Sequence, residues 1–217
     1  AGVDYIKTVN AGTAKPLSGN VVVIGGGNIG ADVARTAIRQ GAASVTQIEM
    51  LPQVTAVQHI IDPIPGKPHE QKFDTSQEEH LNKFLRDPHI YQATVKAVET
   101  DDAGNLVSAT VVHLQAGYDE NRRLVMTEIP GSEEVLPCGL IVIAAGFIGC
   151  EEKTLSSFSL SADARGRLMP GDGSHHLEGK LFSAGDTRNG QSLVVRALAD
   201  GRAAAKEIHD WLRGMKT

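Results

Sequence analysis

The stretch VVVIGGGNIGADVARTAIRQGAASVTQIEML, from Val21 to Leu51, constrains the fold more than any other part of the chain. Asn20–Ile24 carries four consecutive β-branched residues, which suits a strand buried on both faces. Three glycines follow. A helix is then expected over Ile29–Gln40, with Ile29, Val33, Ala34, Ala37 and Ile38 on one face and Gly41 as its stop. SVTQIEML, Ser44–Leu51, reads as the next strand. Strand, glycine turn, helix and strand within about 30 residues make a βαβ unit, and such a unit needs a parallel sheet.

The turn itself fits G-x-G-x-x-G at Gly25, Gly27 and Gly30. The first glycine permits the tight turn, the second leaves room for a pyrophosphate against the backbone, and the third lets helix and strand pack closely. The helix start then offers N–H groups without intrahelical partners and a partial positive charge, both of which suit phosphate. Glu49, at the end of the second strand, stands where an acidic residue accepts hydrogen bonds from adenosine ribose hydroxyls. No Arg or Lys occurs in the following MLPQVTAVQHIID, so NAD(H) is favoured over NADP(H). The competing readings are a glycine-rich structural turn and a solvated glutamate at a strand end.

The remaining segments are shorter. Residues 1–18 read as a lead-in without periodicity, and the prolines at 52, 63, 65 and 68 predict an irregular loop over residues 52–76. Ser76–Asp87 reads as a short helix with a capping box at Ser76 and Glu79. Ile90–Asp101, Leu106–Gly117 and a segment around Leu124–Ile129 read as strands of a small antiparallel layer. Gly139–Phe147 is a second buried strand, ending at Ala145 and Gly146. Ala164–Pro170 reads as a turn and strand, Lys180–Asp186 as a strand, and Gly190–Gly214 as the longest helical pattern. The fold class expected is α/β: a Rossmann-like three-layer nucleotide-binding domain with a small antiparallel β layer.

Bulk properties exclude several classes. The net charge of −5 over 217 residues, with no basic stripe, argues against nucleic acid as a partner. No apolar run approaches the length that crosses a bilayer, and the first residues do not form a signal peptide. Two cysteines without metal or cluster spacing, Cys138 and Cys150, suit reduced thiols in a cytoplasmic setting. His175-His176 reads as a loop pair rather than a metal site, and Trp211 as a helix anchor. The absence of an initiator Met points to a piece of a longer protein.

A third motif is LFSAGDTRNGQSLVVRALADGRAAA, Leu181–Ala205. Asp186 ends its expected strand and would face a ligand there. The helix start near Gln191 and Ser192 could stabilise negative charge with backbone N–H groups. The run G-D-x-R-x-G-Q-S-L-V-V, followed by A-x-x-x-G-R-x-A-A, resembles the flavin-binding C-terminal segment of the glutamate synthase small (beta) subunit, in the two-dinucleotide-binding flavoprotein superfamily. PGSEEVLPCGLIVIAAGFIG and DARGRL are similar to further stretches of that family, and the resemblance covers Leu17–Gly214. Asn189 and Arg196 depart from it, where the family run has arginine and tryptophan.

The resemblance implies an oxidoreductase in which hydride passes from NAD(P)H to FAD and no acid–base side chain is needed. It implies residues 19–148 as the nicotinamide nucleotide domain and 149–217 as the C-terminal part of the FAD-binding domain. The N-terminal FAD half and the iron–sulfur region would lie outside this chain. By position, Gly25, Gly27, Asn28 and Gly30 would hold the pyrophosphate, Glu49 the adenosine ribose, and Ala145 and Gly146 would lie beside the nucleotide. Asp186 would bond the ribityl and phosphate region of FAD. The amides of Gln191 and Ser192 would face the pyrimidine end of the flavin. A glutamate synthase large subunit, or another electron-accepting subunit, is the implied partner. The alternatives are a related flavin-dependent reductase with another acceptor, and a non-catalytic NAD(H)-binding module.

Overall fold

The computed structural model describes residues 1–53 and 75–214, in two units, Ala1–Gly146 and Phe147–Thr217. Most of the loop expected over 52–76 therefore lies outside the described residues, as does the Ser76 side chain of the expected capping box.

The first unit is built on a parallel sheet. Its strands are β1 (Asn20–Ile24), β2 (Ser44–Glu49), β3 (His89–Tyr91) and, later in the chain, β8 (Leu140–Ile143). Their spatial order is β3-β2-β1-β8, all parallel, with Val23 opposite Gln47 on one side and Val142 on the other. The β-branched run of β1 is central, so both its faces are covered. Val21 and Val23 join Val45, Val142, Val33, Ala34, Ala37 and Ile38 in one core cluster. Val22 joins Ile48, Ala93, Ala109, Val111 and Cys138 in the other. The period of two divides each strand between these faces.

The first face is covered by helices: α1 (Gly2–Asn10), α2 (Asn28–Arg39) and α3 (Thr75–Phe84). α2 buries the residues the periodicity selects: Val33, Ala34, Ala37 and Ile38, together with Gly30. α1 occupies what reads in sequence as a lead-in. Its Gly2 is buried, and a Cβ there would meet Ile29 Cγ2 at 2.9 Å, so a small residue lets α1 lie close to α2. α3 is tied to the sheet by His80, fully buried, whose ring nitrogens lie 2.7 Å from the Arg86 carbonyl and 2.8 Å from that of Val45.

The second face is covered by an antiparallel layer of β4 (Ala93–Thr100), β5 (Leu106–Tyr118), β6 (Leu124–Glu128) and β7 (Glu134–Pro137). Helices, parallel sheet and antiparallel sheet give the three-layer α/β nucleotide-binding architecture expected. The stretch expected as one strand over Ile90–Asp101 is split between two sheets. Gln92, at φ +50°, breaks it, sending β3 to the parallel sheet and β4 to the antiparallel one. β7 was hidden in sequence because it is only four residues long and begins with Glu134 and ends with Pro137.

The second unit contains α4 (Glu152–Ser157), α5 (Asp186–Asn189) and α6 (Val194–Gly214). Neither Ala164–Pro170 nor Lys180–Asp186 forms an extended strand; an antiparallel bridge between His176 and Phe182 stands there instead. Trp211 anchors α6 as expected, with its ring 5.7 Å from those of Phe182 and His176. Cys138 and Cys150 are free thiols. Among the described residues no helix is long and apolar enough to cross a membrane.

Candidate functional site

In the first unit the chain direction brings the carboxyl ends of β1, β2 and β8 together. In open α/β sheets this end, at the point where strand order reverses, is where ligands bind. The reversal here falls between β1 and β8. Gly25 follows β1 directly, at φ +116°, and its N–H donates to the Ile48 carbonyl at 2.8 Å. A Cβ on Gly25 would overlap the Ala144 carbonyl. The turn therefore lies against the end of β8, where Ala144 N–H donates to the Ile24 carbonyl at 2.7 Å and Ala145 and Gly146 follow.

The three motif glycines have different surroundings. A Cβ on Gly30 would overlap the Gly25 carbonyl oxygen and come within 2.7 Å of Gln47 Nε2. Gly30 is thus required for close packing of α2 on the turn. A Cβ on Gly27 would point into open space, with nothing among the described residues within 4 Å. Gly27 caps α2 at φ −77°, a conformation any residue adopts, so the fold alone does not require glycine there. Asn28 is the first residue of α2. The α2 N-terminus carries no acidic residue in its first turn and no side-chain cap on Gly27.

Glu49 closes the other side. Its Oε2 accepts from the Gly26 N–H at 2.7 Å and its Oε1 from the Leu51 N–H at 2.8 Å. Gln47, two residues earlier on the same face of β2, donates from Nε2 to the Gly25 carbonyl at 2.9 Å. The structure thus gathers Gly25, Gly27, Asn28, Gly30, Glu49 and Ala145 at one sheet end. Gln47 and Gly26 belong with them, although no spacing rule marks either.

In the second unit, Asp186 opens the one-turn helix α5 rather than ending a strand. α6 starts at Val194, so Gln191 and Ser192 precede the helix instead of forming its first turn. The Ser192 N–H donates to Asp186 Oδ1 at 3.2 Å. Asp186, Asn189, Gly190 and Gln191 line a groove of about 560 Å³ together with Arg165 and Arg167. Arg167 is held in place by Asp163, whose Oδ2 accepts from Nε at 2.9 Å and Nη2 at 2.7 Å, and these bonds draw the Asp163 carboxyl pKa down to about 2. Asp186 and Ser192 also border a second groove, of about 480 Å³, along the α6 face of Ala197, Gly201 and Ala205.

Behind Asp186 lies a buried charge network that the sequence reading missed. Arg188 donates to Asp200 Oδ1 at 3.1 Å, to the Ser174 carbonyl at 3.1 Å, and to the Gly173 carbonyl. His175 sits between Asp200, at 3.2 Å, and Glu207, at 2.6 Å. Burial raises the Asp200 carboxyl pKa, but contacts from Asn189, the Gly185 N–H, His175 and the Arg188 charge outweigh it and hold the group below its ordinary range. Hydrogen bonds from the His175 ring and backbone N–H lower Glu207. Asp200 and Glu207 lie two helical turns apart on α6, but their partners Arg188 and His175 come from other segments, so no local spacing marks the network.

Comparison with known proteins places this arrangement. Residues 1–201 match the family model described as pyridine nucleotide-disulphide oxidoreductase. The chain is 35% identical over 196 residues to the glutamate synthase [NADPH] small chain of Bacillus subtilis, covering 90% of this chain and 40% of that protein. It is 34% identical over 190 residues to the glutamate synthase [NADH] of Schizosaccharomyces pombe, covering 87% of this chain and 9% of that protein. It thus spans well under half the length of these relatives. The Mycobacterium tuberculosis FprA in complex with NADPH shares the fold, with a TM-score of 0.70 at 15% identity, over all of this chain and 59% of that one. With its family model matched over nearly its whole length, the chain belongs to the pyridine nucleotide-disulphide oxidoreductase family.

Proposed function

We propose that this chain is the pyridine-nucleotide-binding part of a flavoprotein oxidoreductase of the glutamate synthase small-subunit type, delivering reducing equivalents from NAD(P)H to FAD. The observation that carries the reading is the contrast between Gly30 and Gly27. Gly30 is glycine because the fold needs it, whereas Gly27 is glycine at a position the fold leaves open. Open space over a helix N-terminus at the carboxyl end of a parallel sheet fits a pyrophosphate.

Residues 19–148 would form the nucleotide domain, and 149–217 the C-terminal part of a flavin domain. Gly25, Gly27, Asn28 and Gly30 hold the pyrophosphate, and Ala145 and Gly146 flank the nucleotide. Asp186 and the Gln191–Ser192 backbone supply polar groups to the flavin, and the Asp186–Gln191 groove fits such a polar edge. Bound together, nicotinamide and flavin supply hydride transfer, and the protein contributes position and electrostatics. Arg188, Asp200 and His175 contribute by fixing the turn that presents Asp186.

NADH is the preferred donor in this reading. The Bacillus relative is named for NADPH and the fission yeast relative for NADH, so similar chains carry both names. Glu49 has its carboxylate oriented by two backbone N–H groups at the end of β2, where a 2′-phosphate would meet like charge. The electron acceptor would be a glutamate synthase large subunit, reached through iron–sulfur centres outside this chain, in the cytoplasm.

Calorimetric titration with NADH and NADPH tests the nucleotide reading; absence of binding to both would overturn it. A visible spectrum after incubation with FAD and desalting tests the flavin half. A retained flavin band bleached by NADH shows that these residues alone assemble a working site. A colourless protein shows that the flavin site needs further residues.

A further inference from the structure

One peptide unit of the glycine turn is gripped at both ends by a single strand. The Gly25 carbonyl accepts from Gln47 Nε2 at 2.9 Å, and the N–H of the same peptide, on Gly26, donates to Glu49 Oε2 at 2.7 Å. A trans peptide is planar, and its C=O and N–H point in opposite directions. Gln47 and Glu49 are two apart on β2, so their side chains emerge on one face, spaced along it. The peptide lies across that face with one group at each end.

Gln47 is an unexpected residue for this position. It is fully buried in a strand flanked on both sides, with Val23 of β1 and His89 of β3 as its cross-strand neighbours. Its Oε1 is buried and has no hydrogen-bond partner among the described residues. A buried polar group left half satisfied is costly for a fold; an apolar residue of the same shape would remove the unpaired Oε1 but would also unpair the Gly25 carbonyl. What the side chain does is hold the Gly25 carbonyl. Gly25 and Gly26 lack side chains to resist rotation of the peptide between them.

We propose that Gln47 is a positioning residue for nucleotide binding, which, with Glu49, fixes the Gly25–Gly26 peptide and so the direction of the Glu49 carboxylate. This rests on the nucleotide reading above. Without the Gln47 donor, the carbonyl end of the peptide loses its hydrogen bond, the peptide is held on this face by Glu49 alone, and the acidic group is less firmly preset for a ribose.

The test is Gln47→Met, which keeps length and volume but lacks the N–H donor, with Gln47→Leu as a second variant of the same chemistry. Three quantities are measured on the ¹⁵N-labelled chain: hydrogen exchange at the Gly26 amide, NADH affinity, and melting temperature. The expected result is Gly26 exchange and NADH Kd each raised by up to about tenfold, the equivalent of one net hydrogen bond, with at most a small fall in melting temperature, because the unpaired Oε1 leaves together with the donor to Gly25. A lowered melting temperature with Gly26 exchange and NADH Kd both unchanged would show that Gln47 is only a core residue. Faster exchange with unchanged affinity would overturn the positioning role while leaving the grip itself. Should the unaltered chain bind neither NADH nor NADPH, the nucleotide reading and the positioning role fall together, and the Gly26 exchange still decides whether the grip exists.

Discussion

The Gly185 N–H donates to Asp200 Oδ2 at 2.7 Å, joining the residue before Asp186 to the second turn of α6. Gly185 adopts φ +66°, and the other oxygen of Asp200 receives Arg188 and His175. Asp200 is therefore the point at which the turn, the helix α5 and the loop carrying His175 are fixed together. Asp200→Ala would leave the Arg188 guanidinium, almost wholly buried, without its carboxylate. The expected loss is about 3 kcal/mol of stability, read from urea unfolding, because breaking a buried pair leaves an uncompensated charge. Asp200→Asn keeps an acceptor for the Gly185 N–H and should cost less. Equal, small losses for both would mean that the network contributes little.

Acid should weaken the second unit in a defined window. Asp200, Glu207 and Asp163 all have folded-state pKa values below their ordinary ones, Asp163 at about 2. The unfolded chain takes up these protons first, near pH 4. Their contribution is thus complete above that pH and is lost as pH falls through the folded values. Urea midpoints should decline between about pH 4 and pH 2, and Asp163→Asn should flatten the lower part of that decline. A midpoint independent of pH over this window would contradict the arrangement around Arg167 and Arg188.

What the sequence revealed and what it hid divide along physical lines. β1, α2 and β2 were legible because burial on both faces writes an unbroken β-branched run, and burial on one helix face writes Val33, Ala34, Ala37 and Ile38 at helical spacing. α1 was not legible: beside the small Gly2 that lets it approach α2, it packs on the core with Tyr5 and Ile6, too few apolar positions in nine residues to show a helical period. The split at Gln92 was hidden because a left-handed residue can be any residue when tertiary pairing compensates. The glycines of the turn were visible as a spacing, but their separate roles required coordinates: Gly30 faces a carbonyl and Gly27 faces open space. Asp186 was found by motif, whereas the charges behind it come from three separate segments that no local spacing connects. Gln47 carried no signal, because a polar residue in a strand reads as solvent-facing.

Gly27 and Gly30 should respond in opposite ways to added side chains. Gly27→Val places its Cβ where nothing among the described residues lies within 4 Å, so stability should fall by no more than about 1 kcal/mol, the cost of a poor N-cap, while nucleotide binding is lost. Gly30→Ala puts its methyl into the Gly25 carbonyl, and α2 would have to move away from the sheet. Overpacking of this kind typically costs about 1–3 kcal/mol. Calorimetric scanning beside nucleotide titration separates the two. A Gly27→Val chain that binds NADH with unchanged affinity would show that the turn is structural only.

Glu49 carries the choice of nucleotide. Its carboxylate accepts from the Gly26 and Leu51 N–H groups, so it cannot swing away from the turn without losing both. Glu49→Gln removes the charge and keeps one acceptor oxygen. NADH binding should weaken, because a carboxylate accepts from ribose hydroxyls more strongly than an amide does. NADPH binding should improve, because the like charge facing the 2′-phosphate is gone. The ratio of the two affinities, measured by parallel titrations of both proteins at low salt, should therefore narrow several-fold and should narrow less as salt screens the repulsion. If the unaltered chain binds NADPH more tightly than NADH, Glu49 does not exclude the phosphate, and its carboxylate serves the turn through Gly26 and Leu51 alone.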